Sequence, residues 1–302
     1  MVDILMAVFN GENFLAQQLE SLMSQDFDGF RLIACDDGSS DGSRDILEAF
    51  GARFPDRIKT VYNDKNVGVR ENFFALMALS DAEYIMFCDQ DDVWDSGKVQ
   101  KTLDVMRQNE YGGPLLVHAD MRVVDSGGAQ LAPSFNKMQS IDPRKNTLNA
   151  LLAQNTVTGC TVMINRALAD IVKKPCCDTL HDWWLALTAA ALGRIVYLPE
   201  QVMDYRRHGA NVRGARDMSD AGYIMGRALD SSDARAKIRL GYAQSAELAR
   251  LYADKLDERQ QKMLLDFGAC LNKNKLGRLA ATAKYRIWKQ GLVRKLGQLF
   301  YL

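Results

Sequence analysis

The sequence predicts an α/β fold built on a mostly parallel sheet flanked by helices and followed by a C-terminal helical region. Three observations carry this. Short apolar runs alternate with segments of helical spacing over roughly the first ninety residues, Gly-, Ser- and Asp-rich turns close several of those runs, and the last third carries helical spacing without further strand signals. At 302 residues and 47% hydrophobic content, the chain can bury one large core, or one domain with a helical appendage.

The elements follow in order. Ile4–Phe9 is a short apolar run, Asn13–Ser24 places Phe14, Leu15, Leu19, Leu22 and Met23 on one helical face, and Phe30–Cys35 is apolar again. The turn Asp36-Asp37-Gly38-Ser39-Ser40-Asp41-Gly42-Ser43 suits a tight reversal, with Asp41 or Ser43 placed to cap the next helix. A helix over Arg44–Phe54, a strand over Ile58–Tyr62, a helix over Arg70–Leu79 and a strand over Ala82–Cys88 complete the alternation. Ligands in such sheets gather beyond the carboxyl ends of the strands, which is where Asn10-Gly11-Glu12, Asp36-Asp37 and Asp89-Gln90-Asp91-Asp92 fall. Further on, His181–Leu192 reads as a helix and the chain turns helical again from about Ala221.

Asp89, Asp91 and Asp92 put three carboxylates directly behind a buried run, where repulsion and burial raise their pKa values unless a cation neutralises them. Carboxylate oxygens suit a hard divalent ion such as Mg²⁺, which often shares its shell with substrate phosphates. A solvated loop capped at Asp95 or Ser96 is the plainer reading of the same segment. Asp37, at the end of a buried strand, is placed to accept a hydrogen bond from a nucleobase ring N–H, and a purely structural turn is again the plainer alternative.

Other signals narrow the class. The six cysteines form no CxxC pair or regular framework, which favours reduced thiols, and adjacent Cys176-Cys177 reads as a loop. The N-terminus lacks a basic n-region, so no secretory signal is expected, and no stretch reaches the roughly 20 apolar residues of a spanning helix. Net charge is zero but uneven: Leu271–Leu302 carries eight bases and no acid, leaving thirty bases and thirty-eight acids before it. An acidic body argues against nucleic acid as a partner.

The segments Ala7–Glu12, Asp36–Asp41, Asn66-Val67-Gly68-Val69-Arg70-Glu71-Asn72-Phe73 and Asp89-Gln90-Asp91-Asp92-Val93-Trp94 together resemble family two of the nucleotide-sugar glycosyltransferases, of GT-A fold, over residues 1 to about 216. Asn155–Thr161, His181-Asp182-Trp183-Trp184 and Tyr205-Arg206-Arg207-His208-Gly209-Ala210-Asn211-Val212 resemble the bacterial rhamnosyltransferases that use dTDP-L-rhamnose. Ala7 departs from the proline of many relatives.

The resemblance implies a division of labour. Phe9, Asn10, Glu12, Asp37, Asn66, Arg70, Asn72, Asp89 and Gln90 would bind the nucleotide sugar, with Arg206 and Arg207 extending a clamp on the diphosphate. Asp91 and His208 would ligate Mg²⁺ or Mn²⁺. Asp182 would be the base of an inverting transfer, its plainer alternative being a first-turn carboxylate favoured by the helix dipole. Thr158, Gly159, His181, Trp183 and Trp184 would lie against donor or acceptor sugar, one indole offering its face and the other packing in the core.

Residues 1–216 would form the catalytic domain and 217–302 a helical region for membrane-surface association or homodimerisation. In that region Leu276, Leu279, Ala280, Ala283 and Ile287, then Leu292, Val293, Leu296, Leu299 and Phe300 after Gly291, form apolar faces flanked by bases, a composition suited to an anionic membrane interface. The implied acceptor is a lipid-linked saccharide of a surface polysaccharide, with the enzyme cytoplasmic and peripheral on the membrane. Another nucleotide-sugar donor such as a UDP-hexose, a metal-dependent nucleotidyltransferase, and a non-catalytic nucleotide-sugar-binding module are the rival readings. The nucleotidyltransferase is disfavoured because no early Gly-rich, Arg/Lys-containing triphosphate loop follows Phe9.

Overall fold

The computed structural model describes residues 1–209 and 231–302; Ala210, Asn211, Val212 and the expected boundary at residue 216 lie outside the described residues. In chain order the strands are β1 Val2–Val8, β2 Phe30–Asp36, β3 Ile58–Tyr62, β4 Tyr84–Cys88, β5 Val93–Trp94, β6 Leu115–Val124, β7 Gln130–Ala132, β8 Met163–Asn165 and β9 Arg194–Arg206. The helices are α1 Leu15–Met23, α2 Ser43–Arg53, α3 Val69–Leu79, α4 Lys98–Gln108, α5 Phe135–Met138, α6 Leu148–Ala153, α7 Arg166–Ile171, α8 His181–Leu192, α9 Ser231–Leu251, α10 Glu258–Gly268, α11 Lys275–Lys284 and α12 Leu292–Tyr301.

The strands form one sheet in the order β3-β2-β1-β4-β8-β6-β9-β5, with β7 paired to β6. β3, β2, β1 and β4 run parallel, as the alternation predicts, whereas β8 joins β4 and β6 antiparallel and β5 joins β9 antiparallel. Sequence neighbours build the first half through helical crossovers; the second half recruits strands from distant segments. β1, β2 and β4 are buried on both faces, which is why they read as continuous apolar runs rather than alternating ones, whereas β3 at the edge is only partly covered. Asp3 is fully buried in β1 and is compensated by Arg31 Nε and Nη2 at 3.0 and 2.7 Å and by the Ser80 hydroxyl at 2.7 Å.

Two compact units emerge. Among the described residues, one comprises 1–135, 158–171 and 196–209; the other comprises 136–157, 172–195 and 231–302. The second unit is helical, with α9 against α10 and α6 against α8. Its helix α10 opens with a complete capping box, Asp257 Oδ1 accepting from Gln260 N at 2.7 Å while Gln260 Oε1 accepts from Asp257 N. Among the described residues, no helix is long and apolar enough to cross a membrane.

Candidate active site

The carboxyl ends of β1, β2 and β4 meet in the first unit through hydrogen bonds between segments far apart in sequence. Asn10 takes the left-handed conformation (φ 49°), its N–H donating to Ser39 Oγ at 2.9 Å while its Oδ1 accepts from Ser40 N at 2.9 Å. Gly11 N donates to Ser43 Oγ, and Glu12 reaches across to the same turn, its Oε2 accepting from Gly42 N at 2.7 Å. Gln90 closes the third side: its Oε1 accepts from Phe9 N at 2.7 Å and its Nε2 donates to Phe9 O at 3.0 Å. Gly38 (φ 76°) lets the turn after β2 approach the backbone at Lys65 and Asn66, where a Cβ would stand only 3.0 Å away.

Asp37 organises the far wall of this crevice. Its buried carboxylate accepts from Asn63 Nδ2 at 2.8 Å, Val67 N at 3.0 Å and Gly68 N at 2.9 Å, so it fixes residues 63–68 over the end of β2. Asn66 is exposed on that segment, Arg70 pairs with Glu71 at 2.6 Å, and Asn72 is buried against Cys35.

The acids behind β4 are not equivalent. Asp92 is fully buried, one oxygen accepting from Arg206 N at 3.1 Å; burial, reinforced by Asp91 and Asp89, pushes its carboxyl well above the usual range. Below the cluster lies Lys98, also fully buried, whose Nζ donates to Cys160 O at 2.6 Å and sits 3.4 Å from the Trp94 ring centroid. Burial lowers Lys98 to about 8, with Cys160, Cys88, Asp92 and Asp89 pulling the other way. The chain therefore supplies a cation of its own beneath Asp89–Asp92, which the sequence reading had left entirely to a metal. Asp89 and Asp92 also share a 4.8 Å cluster with the Cys160 thiol, but burial raises that thiol and that carboxyl alike, and ligands must be deprotonated.

A better donor pair stands on the solvent side. Asp91 Oδ2 and His208 Nε2 are 2.7 Å apart, each side chain only 13% exposed, and the His208 ring rests against Phe14 with centroids 4.7 Å apart. A carboxylate oxygen and an imidazole nitrogen converging from segments 117 residues apart fit a divalent cation. Arg206, two residues before His208, turns inward instead. Its guanidinium donates to Asp91 O at 2.9 Å, Ser126 O at 2.8 Å and Gln17 Oε1 at 2.6 Å, and covers the Phe14 ring.

In the second unit, Asp182 occupies the first turn of α8. Its Oδ2 accepts from Asn155 Nδ2 at 3.3 Å and its Oδ1 from Trp183 N at 2.6 Å. Trp183 and Trp184 are buried, their indole N–H groups donating to Leu151 O and Lys173 O, each at 2.8 Å. His181 is buried too, and burial pushes it down to about 3, so its imidazole is neutral at any working pH.

Comparison with known proteins places this arrangement. The model of the family described as glycosyl transferase family 2 matches residues 3–170, more than half of the chain. The chain belongs to glycosyl transferase family 2. Among curated relatives of this family 2 chain, the dTDP-rhamnosyl transferase RfbG of Shigella flexneri is 27% identical over 231 residues, covering 72% of this chain and 76% of that protein. The UDP-Glc:alpha-D-GlcNAc-diphosphoundecaprenol beta-1,3-glucosyltransferase WfgD of Escherichia coli is 28% identical over 171 residues, covering 56% and 61%. The first curated relatives it matches, uncharacterized mycobacterial proteins, are spanned over 58% of their length. The fold is that of S. aureus TarS in complex with UDP-GlcNAc (TM-score 0.57, 17% identity, 94% of this chain and 80% of that one). It is also that of the Pyrobaculum calidifontis mannosyltransferase PcManGT in complex with GDP-Man and Mn²⁺ (TM-score 0.53, 15% identity, 93% and 73%).

Set against the resemblance, the family 2 crevice brings together Phe9, Asn10, Glu12, Asp37, Asp89, Gln90, Asp91 and His208 in the first unit. Phe9 is 43% exposed at its mouth, Arg207 is exposed beyond the end of β9, and Gly159 opens the short helical turn before β8, with the extended Thr158 just ahead of it. Three expectations need correction. Arg206 is no phosphate clamp, since its guanidinium is committed to chain acceptors. Asn72 is buried on the inner face of α3. Neither Trp183 nor Trp184 offers a face to a sugar, because both indoles are needed to bury α8. Lys98 is the residue that sequence reasoning missed; at the start of a helix it resembles a solvated lysine, and only the core apolar side chains Val99, Leu103 and Met106 around it hint otherwise.

Proposed function

We propose that this chain is an inverting, metal-dependent glycosyltransferase that moves L-rhamnose from dTDP-β-L-rhamnose to a lipid-linked saccharide during synthesis of a bacterial surface polysaccharide. The observation that carries the reading is the Asp91–His208 pair beside the braced crevice of Glu12, Asp37, Asp89 and Gln90. The rhamnosyl donor draws its support from the likeness to RfbG, and a lipid-diphosphate acceptor from the likeness to WfgD. Residues 1–216 act as the catalytic domain in this reading, and 217–302 keep the protein peripheral on the cytoplasmic membrane.

The crevice holds the nucleoside, with Glu12, Asp37 and Asp89 as acceptors for base and ribose donors and Arg207 at its open edge for a phosphate oxygen. Asp37 already takes three chain hydrogen bonds, which leaves one of its roughly four acceptor positions for a ring N–H. Asp91 and His208 would hold a divalent cation, which when bound would supply charge stabilisation to the nucleoside diphosphate leaving group. Asp182 takes the proton from the acceptor hydroxyl as that oxygen bonds to the anomeric carbon and the carbon–oxygen bond to the diphosphate breaks, inverting the centre. Asn155 and the Trp183 N–H orient that carboxylate.

A panel of sugar nucleotides, followed by nucleoside diphosphate release with lipid-linked acceptors, tests the reading. Release with dTDP-L-rhamnose alone is expected. Release with a UDP-hexose instead would replace the donor, and silence with every donor would leave a binding module.

A further inference from the structure

The second unit holds a cavity that the transfer chemistry does not use. Its volume is about 490 Å³, and Arg144, Lys145, Arg286, Lys289 and Lys295 line it together with Trp288, with no acidic side chain among the described residues that line it. Its walls are fixed rather than loosely apposed. Gln290 receives Asp142 N on Oε1 at 2.7 Å, donates from Nε2 to Asp142 O at 3.1 Å, and donates its own N–H to Gln154 Oε1 at 3.0 Å. Asn149 Nδ2 ties α6 to Tyr285 O at 2.9 Å. The bend between α11 and α12 holds Arg286 in the left-handed region (φ 53°), an unusual conformation for a bulky residue and one that cross-links from α6 maintain.

The same segment continues into an exposed apolar face. Gly291 (φ 77°) starts α12, on which Leu292 is 73% exposed, Val293 54%, Leu296 56% and Phe300 70%, at helical spacing, while Gln298 is buried on the opposite side. Such a concentration on one ten-residue helix, continuous with a cationic cavity, is the arrangement of an element lying in a membrane interface with its charges at headgroup depth. A phospholipid carries a single phosphate, whereas five cations converging on one cavity match a more concentrated anion. The cavity also connects to the candidate base: Thr147, Asn149 and Ala150 in its wall lead along α6 to Leu151 O, which accepts from Trp183 Nε1, and Asn155 just beyond binds Asp182.

We infer that this cavity receives the diphosphate of a polyprenyl-linked acceptor while α12 seats its apolar face among the acyl chains. The inference rests on the lipid-linked acceptor reading above and assigns it a site. It is tested without sugar nucleotide, by sedimentation of the full chain with neutral phosphatidylcholine vesicles carrying either polyprenyl diphosphate or phosphatidylglycerol at matched net charge. Diphosphate vesicles should bind about tenfold more tightly than phosphatidylglycerol vesicles and should change the Trp288 emission, obtained as the difference between wild type and Trp288→Phe. Reversing the exposed Lys145 and Lys295 together (K145E, K295E) should weaken that binding by about tenfold, and neutralising them (K145Q, K295Q) by less, with melting temperatures unchanged. Equal binding to the two charged vesicles, or undiminished binding by the reversed variant, would overturn the assignment. Loss of transfer with vesicle binding intact would instead count against the enzymatic reading alone.

Discussion

The corner after β4 and the cavity before α12 concentrate opposite charges by opposite means. At Asp89–Asp92 the chain buries its acids and answers them internally, with Lys98 beneath, Arg206 N on Asp92 and the Arg206 guanidinium on the backbone, leaving Asp91 with His208 toward solvent. Around Arg286 the bases stand at the surface of a walled cavity beside exposed leucines. The first is a rigid half-site whose outer donor pair, Asp91 and His208, fits a divalent cation. The second offers cations and apolar area together, the combination that suits a lipid anion rather than a soluble one. Charge clusters thus differ less in their count than in how deeply the fold buries them and in what lies beside them.

Perturbing each side of that contrast should give graded effects. The largest is expected from removing the cation: excess EDTA, or Asp91→Asn with His208→Ala, should cut turnover by about four orders of magnitude, in line with several kcal/mol of charge stabilisation. Undiminished turnover in EDTA would exclude Asp91 as a ligand. Next, Asp182→Asn should lower kcat by about 10² to 10⁴ while donor affinity measured by calorimetry stays nearly unchanged. Third, Arg206→Ala should destabilise the fold by about 3–5 kcal/mol in denaturant titration, because Asp91 O, Ser126 O and Gln17 lose a buried cationic donor. Its neighbour Arg207→Ala should stay within about 0.5 kcal/mol of wild type and weaken donor binding instead. Equal stability of the two variants would erase the distinction drawn between them.

The smallest effect concerns Lys98 and has a defined sign. Its folded pKa, about 8, lies below the ordinary 10.5, so between those values the unfolded chain binds more protons than the folded one. Wild type should therefore gain stability relative to Lys98→Met as pH rises from about 8 toward 10.5, read as a widening difference in denaturation midpoint. A difference that is flat with pH would mean that Lys98 is not buried as a charge.

Much of this was legible in the sequence where a single segment decides its own state. Ile58–Tyr62 and His181–Leu192 form as read, and β1, α1, β2, α2, α3 and β4 differ from expectation by a residue or two at their ends. The convergence of Asn10–Glu12, Asp37 and Gln90 follows from the parallel order of β2, β1 and β4, itself a consequence of short crossovers. The antiparallel half was not legible. β8 has three residues and pairs with β4 some eighty positions earlier, a contact to which no local pattern points.

Arg206 and His208 show the limit most sharply. Both sit in one basic run, and the reading gave Arg206 to the diphosphate and His208 to the metal; the end of β9 sends Arg206 beneath Asp91 and His208 beside its carboxylate. Trp183 and Trp184 fail for the same reason, since an aromatic pair reads alike in a sugar site and in a core until its surroundings are known.

By itself the sequence determined the family 2 motifs, the alternation that builds the parallel strands and the amphipathic, basic character of the last two helices. These depend on periodicity and on turn chemistry, which act over a few residues. Tertiary structure alone decided that Lys98 lies beneath the acids, that Arg206 turns inward under Asp91, and that five cations wall one cavity. Burial and charge pairing set those outcomes, and both depend on which distant segments the fold brings within a few ångströms.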